Sequence, residues 1–141
     1  MRGFVLDTNV ASEFIRERPA PLVLDWFRAQ NMSELFLSAI SAGELAKGFH
    51  LLPLGRRRSQ LQAWLNAILS EFGDNILPVT RRIAERWGEL DAQCKLRGRP
   101  HSVADGLIAA TGLVHGLTVV TRNVKDFHGL GVEVFNPWNP V

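Results

Sequence analysis

The sequence predicts an α/β layer structure built on a mostly parallel sheet, and three observations carry that prediction. Short apolar runs of strand length, FVL (4–6), LFLSA (35–39), LTVVT (117–121) and VEVF (132–135), recur along the 141 residues. Between them lie longer stretches in which apolar residues return every three or four positions, the spacing of a helix with one buried face. One stretch, HSVADGLIAATGLVHG (101–116), is apolar almost all the way round, the pattern of a helix buried on every side. Strands alternating with helices in this way favour a parallel sheet covered on its faces.

Taken in order, FVL is a strand that runs into Asp7, and a helix starts between Thr8 and Val10. Residues 20–29 form a second helix. LFLSA is the second strand, after which Ser41 opens a helix through about Leu51. In 56–72, Leu61, Trp64, Leu65, Ile68, Leu69 and Phe72 follow helical spacing closely. NILPV (75–79) reads as a short strand, and 80–97 as a long charged helix ended by Gly98 and Pro100. The buried helix begins near Ser102, and LTVVT and VEVF complete the sheet. No repeat, low-complexity segment or dividing linker interrupts the chain. One domain over 1–141 is expected, with enough residues for a core without staples.

Composition narrows the class. The single cysteine, Cys94, excludes an intramolecular disulfide and suits a reducing compartment. An aspartate at position 7 interrupts any secretory apolar run, and the longest uncharged stretch, Gly106 to Thr121, is too short to span a bilayer. A soluble, cytoplasmic protein with no membrane partner is expected. The net charge of +2 is uneven: residues 55–99 hold nine Lys or Arg against five Asp or Glu. A basic surface beside an acidic cluster suits a polyanion handled through metal ions. Each of these arginines also reads as part of a solvated helix face.

In parallel sheets ligands gather at the carboxyl ends of the strands. Asp7 directly follows the first strand, Glu44 lies in the turn after the second, and Asn123 and Asp126 follow the fourth. Asp105, in the first turn of the buried helix, joins them if that helix starts at the same edge. Each residue also has a local explanation. Asp7 can be a turn residue with Thr8 or Asn9 capping the helix behind it. SAGE (41–44) fits a capping box in which Glu44 reaches back to Ser41. SVAD (102–105) puts Asp105 at the favourable end of a helix dipole. The coincidence argues against three separate accidents, because carboxylates that close should not all ionise without a cation. Four histidines (50, 101, 115 and 128) without zinc spacing and one cysteine leave an oxygen-ligated hard ion, Mg²⁺ or Mn²⁺.

The segments VLDTNVASE (5–13), SAISAGELAKG (38–48), ADGLIAATGLVHGLTVVTRNVKDF (104–127) and VFNPW (134–138) resemble the PIN-domain ribonuclease toxins of the VapC and FitB type, in order and over essentially the whole chain. The resemblance implies a three-layer PIN fold, with a small parallel sheet flanked by helices. It implies a Mg²⁺-dependent endoribonuclease that forms a homodimer. A cognate antitoxin would silence it and bind operator DNA in a type II toxin–antitoxin pair. The acidic site of the family falls on Asp7, Glu44 and Asp105, with Asp7 and Asp105 as the metal ligands. A fourth acidic position falls on Asn123, a departure that Asp126 is near enough to fill. Asn9 and Thr121 would orient the carboxylates, and Gly106 stands where the family tends to have alanine. The implied chemistry is metal-assisted hydrolysis of an RNA phosphodiester. An aspartate-nucleophile phosphatase would need a second aspartate at position 9, which is asparagine. A non-catalytic PIN-like RNA- or partner-binding module is the alternative of a different class.

Overall fold

The computed structural model describes residues 3–140. Its centre is a five-stranded sheet, all parallel, in the order β3-β2-β1-β4-β5, formed by β1 (Gly3–Leu6), β2 (Leu35–Ser38), β3 (Ile76–Leu77), β4 (Leu117–Val120) and β5 (Val134–Phe135). Leu6 is in register with Leu37 on one side and Val120 on the other. The strand order reverses about β1, so its carboxyl end opens onto the crevice where such sheets hold ligands.

Alternation along the strands sorts side chains onto two faces. Val5 and Val119 point into one core with Ile83, Leu90, Ile108 and Ala109, supplied by α5 (Arg81–Leu96) and α6 (Val103–His115). Leu6, Val120, Leu35 and Leu37 point into the other, with Val10, Val23 and Phe72. That second layer comes from α1 (Thr8–Glu13), α2 (Pro21–Ala29) and α4 (Arg56–Phe72), and α3 (Ala39–His50) adds Leu45 to it. Helices thus cover both faces, as expected, and both cores are buried. No helix among the described residues is long and apolar enough to cross a membrane.

The structure corrects several local expectations. The last strand is shorter than VEVF, and NILPV contributes only Ile76 and Leu77. Short edge strands leave little exposed ladder for another chain to pair with. The second strand ends at Ser38, and Ser38 rather than Ser41 caps α3, its Oγ accepting from the Ile40 N–H at 3.0 Å. Two serines one turn apart offered two caps, and the earlier one prevails because the strand pairing stops there. Glu44 therefore lies in the second turn of a helix, not in the turn after the strand. Asp7 is itself the cap of α1, its Oδ1 accepting from the Thr8 N–H at 2.8 Å, so neither Thr8 nor Asn9 has that role.

Gly106 now has a reason. A Cβ there would lie 2.7 Å from Cδ1 and 2.9 Å from Nε1 of Trp87, so the α5 indole occupies the space an alanine methyl would need. At the far end of α6, Gly116 takes the left-handed conformation (φ 68°) that closes the helix after His115.

Candidate active site

Asp7 is the fixed point of the crevice. It follows β1 directly, and its own N–H donates to Val120 O at 2.8 Å, which locks it to the end of β4. The residue is 6 % exposed. Thr121 donates to Oδ2 at 2.8 Å, Asn9 Nδ2 at 3.2 Å, and the Thr8 N–H holds Oδ1. The Thr121 hydroxyl in turn accepts from the Asn123 N–H at 3.0 Å, so its proton is committed to Asp7. Burial raises the Asp7 pKa; the Thr121 and Thr8 donors pull it back, and the charges of Asp105 and Glu44 push it up again.

Asp105 reaches the same crevice from α6. Ser102 caps that helix, its Oγ accepting from the Asp105 N–H at 3.1 Å. The cap is therefore made by Asp105's backbone, and among the described residues no backbone N–H donates to the carboxylate. Burial also raises the pKa of this half-buried group; Ser102 lowers it, Asp126 and Glu44 raise it, and His101 lowers it. Asp105 is thus the carboxylate that feels both Glu44 and Asp126.

Glu44, on the exposed rim, is aimed by α1. The Thr8 hydroxyl donates to Oε1 at 2.5 Å and lies 3.0 Å from the buried Ser41 hydroxyl. This contact replaces the capping box as the account of Glu44. Among the described residues Oε2 has no partner. Asn123 is exposed and ties into the site through its backbone alone. Asp126, in the short 3-10 turn Val124–Phe127, bears electrostatically on Asp105, and its carbonyl accepts from His101 Nδ1 at 2.9 Å.

All five sequence-selected positions thus stand at one sheet edge, with Asp7, Glu44, Asp105 and Asp126 forming one electrostatic group. Thr8 is a site residue that sequence reasoning treated only as a capping candidate; its position between Asp7 and Asn9 was the available signal. Among the described residues no three His, Cys, Asp or Glu side chains converge closely enough to share an ion. The donor set fits a hard cation that takes two carboxylates and completes its shell with water and phosphate oxygens.

The sequence profile of the PIN domain matches residues 4–131. The chain is 39% identical over 137 residues to the VapC ribonuclease Y4jK of Sinorhizobium fredii, covering 96% of this chain and 98% of that protein. It is 38% identical over 136 residues to toxin FitB of Neisseria gonorrhoeae, covering 96% and 98%. The solved structure of FitAB bound to the IR36 DNA fragment superposes with a TM-score of 0.91 at 36% identity, covering 96% of each chain.

Proposed function

The chain belongs to the PIN domain family, and on that premise we propose that it is a Mg²⁺-dependent endoribonuclease, the toxin of a type II toxin–antitoxin pair. One PIN domain over 1–141 would act in the cytoplasm as a homodimer. The observation that carries the reading is the meeting of Asp7 and Asp105 at one strand edge, where burial first and then their neighbours' negative charge raise the pKa of both from the ordinary carboxylate value. A site that keeps such a cluster at a strand edge is organised for a cation.

Asp7 and Asp105 would hold the ion, with Mn²⁺ a possible substitute for Mg²⁺. When bound there it supplies Lewis acidity toward a phosphate oxygen and lowers the pKa of a bound water. The chain's own residues do the rest. Thr121, Asn9 and the Thr8 N–H keep Asp7 in one orientation. Glu44, fixed by Thr8 through one oxygen, would use the other to orient the attacking water or to help hold a second ion. Asn123 or Asp126 completes the fourth position, and the coupling of Asp126 to Asp105 favours Asp126.

The relatives' names, a VapC ribonuclease and a toxin FitB solved as FitAB on DNA, support an RNA substrate and a cognate antitoxin that carries operator-DNA binding. An inhibitor of an acidic crevice is expected to insert an arginine that pairs bidentately with carboxylates. Incubation of the purified protein with a mixed RNA pool tests the catalytic reading. Cleavage should require Mg²⁺ or Mn²⁺ and stop with EDTA. RNA binding without cleavage in either metal would instead indicate the non-catalytic module. Co-expression with a short antitoxin-like reading frame, where one lies next to the gene, should relieve toxicity; persistent toxicity without co-purification would remove the antitoxin from the proposal.

A further inference from the structure

Beside the acidic crevice lies a cleft of opposite character, with a volume of about 350 Å³. Three guanidinium groups line it, Arg16 in the turn after α1, Arg57 on α4 and Arg122 after β4, together with the partly exposed indole of Trp138. Its size is at the lower end of small-ligand clefts, roughly 300–1,000 Å³.

The cleft is joined to the acidic site through Asn9. Asn9 Nδ2 donates to Asp7, while its Oδ1 accepts the Arg122 N–H at 3.2 Å. The same segment is held from the other side by Asn136, whose Nδ2 donates to Arg122 O at 3.4 Å and whose Oδ1 accepts the Trp138 N–H at 2.9 Å. These bonds bring Arg122 and Trp138 together, with the guanidinium carbon 5.2 Å from the indole centroid. A guanidinium lying over an aromatic ring at this distance joins positive charge to an apolar face.

Part of the positive charge in the basic half of the chain is offset locally. On α5, Arg81 pairs with Glu85, Arg86 with Glu89 and Lys95 with Asp91, so these cations are offset along their own helix. Among the described residues Arg57 and Arg122 have no acidic partner. Glu13, the one carboxylate in the cleft wall, is buried; it accepts the Ala20 N–H at 2.8 Å and lies 3.5 Å from Arg16.

We propose that this cleft is a subsite for one unpaired nucleotide of the RNA, next to the scissile phosphate. Its base stacks on the Arg122–Trp138 surface, and its phosphate meets Arg57 and Arg16. The proposal rests on the ribonuclease reading and adds to it a means of positioning the strand. Bases displayed by single-stranded RNA stack on aromatic rings and on guanidinium planes, whereas a duplex keeps its bases stacked internally. An acidic protein segment would use the three arginines but has no need of the ring.

The test is binding of a short fluorescein-labelled single-stranded RNA of mixed sequence to the full chain in EDTA, where cleavage is arrested, across a salt series. KM and kcat are measured separately with Mg²⁺. Arg57→Gln should weaken binding and reduce the slope of log K against log salt by about 0.7. Trp138→Leu should weaken binding roughly 5- to 150-fold, the loss expected from one stacked base, and Trp138→Phe should recover much of it. Arg122→Gln keeps the indole and so tests the platform where Trp138→Leu unfolds the protein; it should raise KM by more than it lowers kcat. Arg81→Gln should change nothing. The same RNA as a duplex should bind more weakly. If wild type cleaves RNA but KM, salt slope and single-strand preference are unmoved in the Arg57, Arg122 and Trp138 variants, the subsite is wrong and the nuclease reading stands. If those variants lose only antitoxin binding, the cleft is a protein-docking face and the proposal is overturned. Wild type that neither binds nor cleaves RNA removes both.

Discussion

Asp7 and Asp105 face the same crevice but are held in different ways. Asp7 is gripped between α1 and the sheet: three donors meet its carboxylate, and its own N–H is bonded to the end of β4. Asp105 projects from the first turn of α6 with Ser102 as its nearby polar support, and it bears the repulsion of Glu44 and Asp126. Most of what orients Asp7 is therefore built before any ion arrives. Each carboxylate bears two like-charged neighbours, but the Asp105 side is poorer in donors, so its geometry depends more on a cation. The difference separates two roles within one site, a rigid anchor and a charge-dependent arm.

The largest effect expected is on catalysis. Asp7→Asn and Asp105→Asn should each reduce RNA cleavage by more than the ~10–100-fold typical of losing an outer hydrogen-bond partner of a metal ligand. Measured with saturating Mg²⁺, retention of near-wild-type activity by either variant would remove that residue from the metal site. Thr121→Val comes next. It deletes the donor to Asp7 while conserving volume, and should cost ~10–100-fold in activity or Mg²⁺ affinity. An unchanged Mg²⁺ titration would mean that the anchor does not need its donors, and the contrast between the two carboxylates would lose its basis.

A third substitution acts on the arm alone. Gly106→Ala gains roughly 1 kcal/mol of helix propensity but sets a methyl 2.7 Å from Trp87, and α6 carries Asp105. Overpacking of that kind costs ~1–3 kcal/mol, so a net loss of stability is expected together with weakened Mg²⁺ binding. Trp87→Phe in the same chain should restore part of both. A stabilised Gly106→Ala protein with unaltered metal affinity would show that the indole simply moves aside.

Much of this architecture was legible in the residues, because each rested on a periodic or local signal. The alternating strands and helices, the all-round apolar α6 and the gathering of Asp7, Glu44 and Asp105 at one edge follow from strand ends and helix starts. What stayed hidden depends on tertiary choice. Ser38 and Ser41 are equally good caps in isolation, and only the end of the β1–β2 pairing selects the first. Gly106 is unaccountable until Trp87, far along the chain, is seen to lie over it. The basic character of 55–99 was plain, but its division was not. Arg81, Arg86 and Lys95 pair within α5, while Arg57 lines a cleft with Arg16, Arg122 and Trp138 from three other parts of the chain.

The smallest effect is the most discriminating test of the arm. If Asp105 serves the helix dipole, Asp105→Asn should cost on the order of 0.3–1 kcal/mol, whether or not Mg²⁺ is present. If it belongs to a crowded carboxylate cluster, the sign reverses. Its folded pKa is raised, so between the unfolded value near 3.8 and the higher folded value the native state binds more protons than the unfolded chain. Metal-free wild type should then lose stability as pH rises through that window. Asp7, raised for the same reasons, contributes in the same direction. Asp105→Asn removes one of the two contributions, so in EDTA at neutral pH it should melt at or above wild type and show a shallower decline with pH. With Mg²⁺ at a hundredfold excess over its dissociation constant, wild type should gain roughly 2.7 kcal/mol, and the variant should lose most of that gain. Thermal melts of both proteins across pH, with EDTA and with Mg²⁺, read all of these signs. A variant destabilised in EDTA that still gains stability from Mg²⁺ would make Asp105 a helix-end residue and leave Asp7 to hold the ion without it.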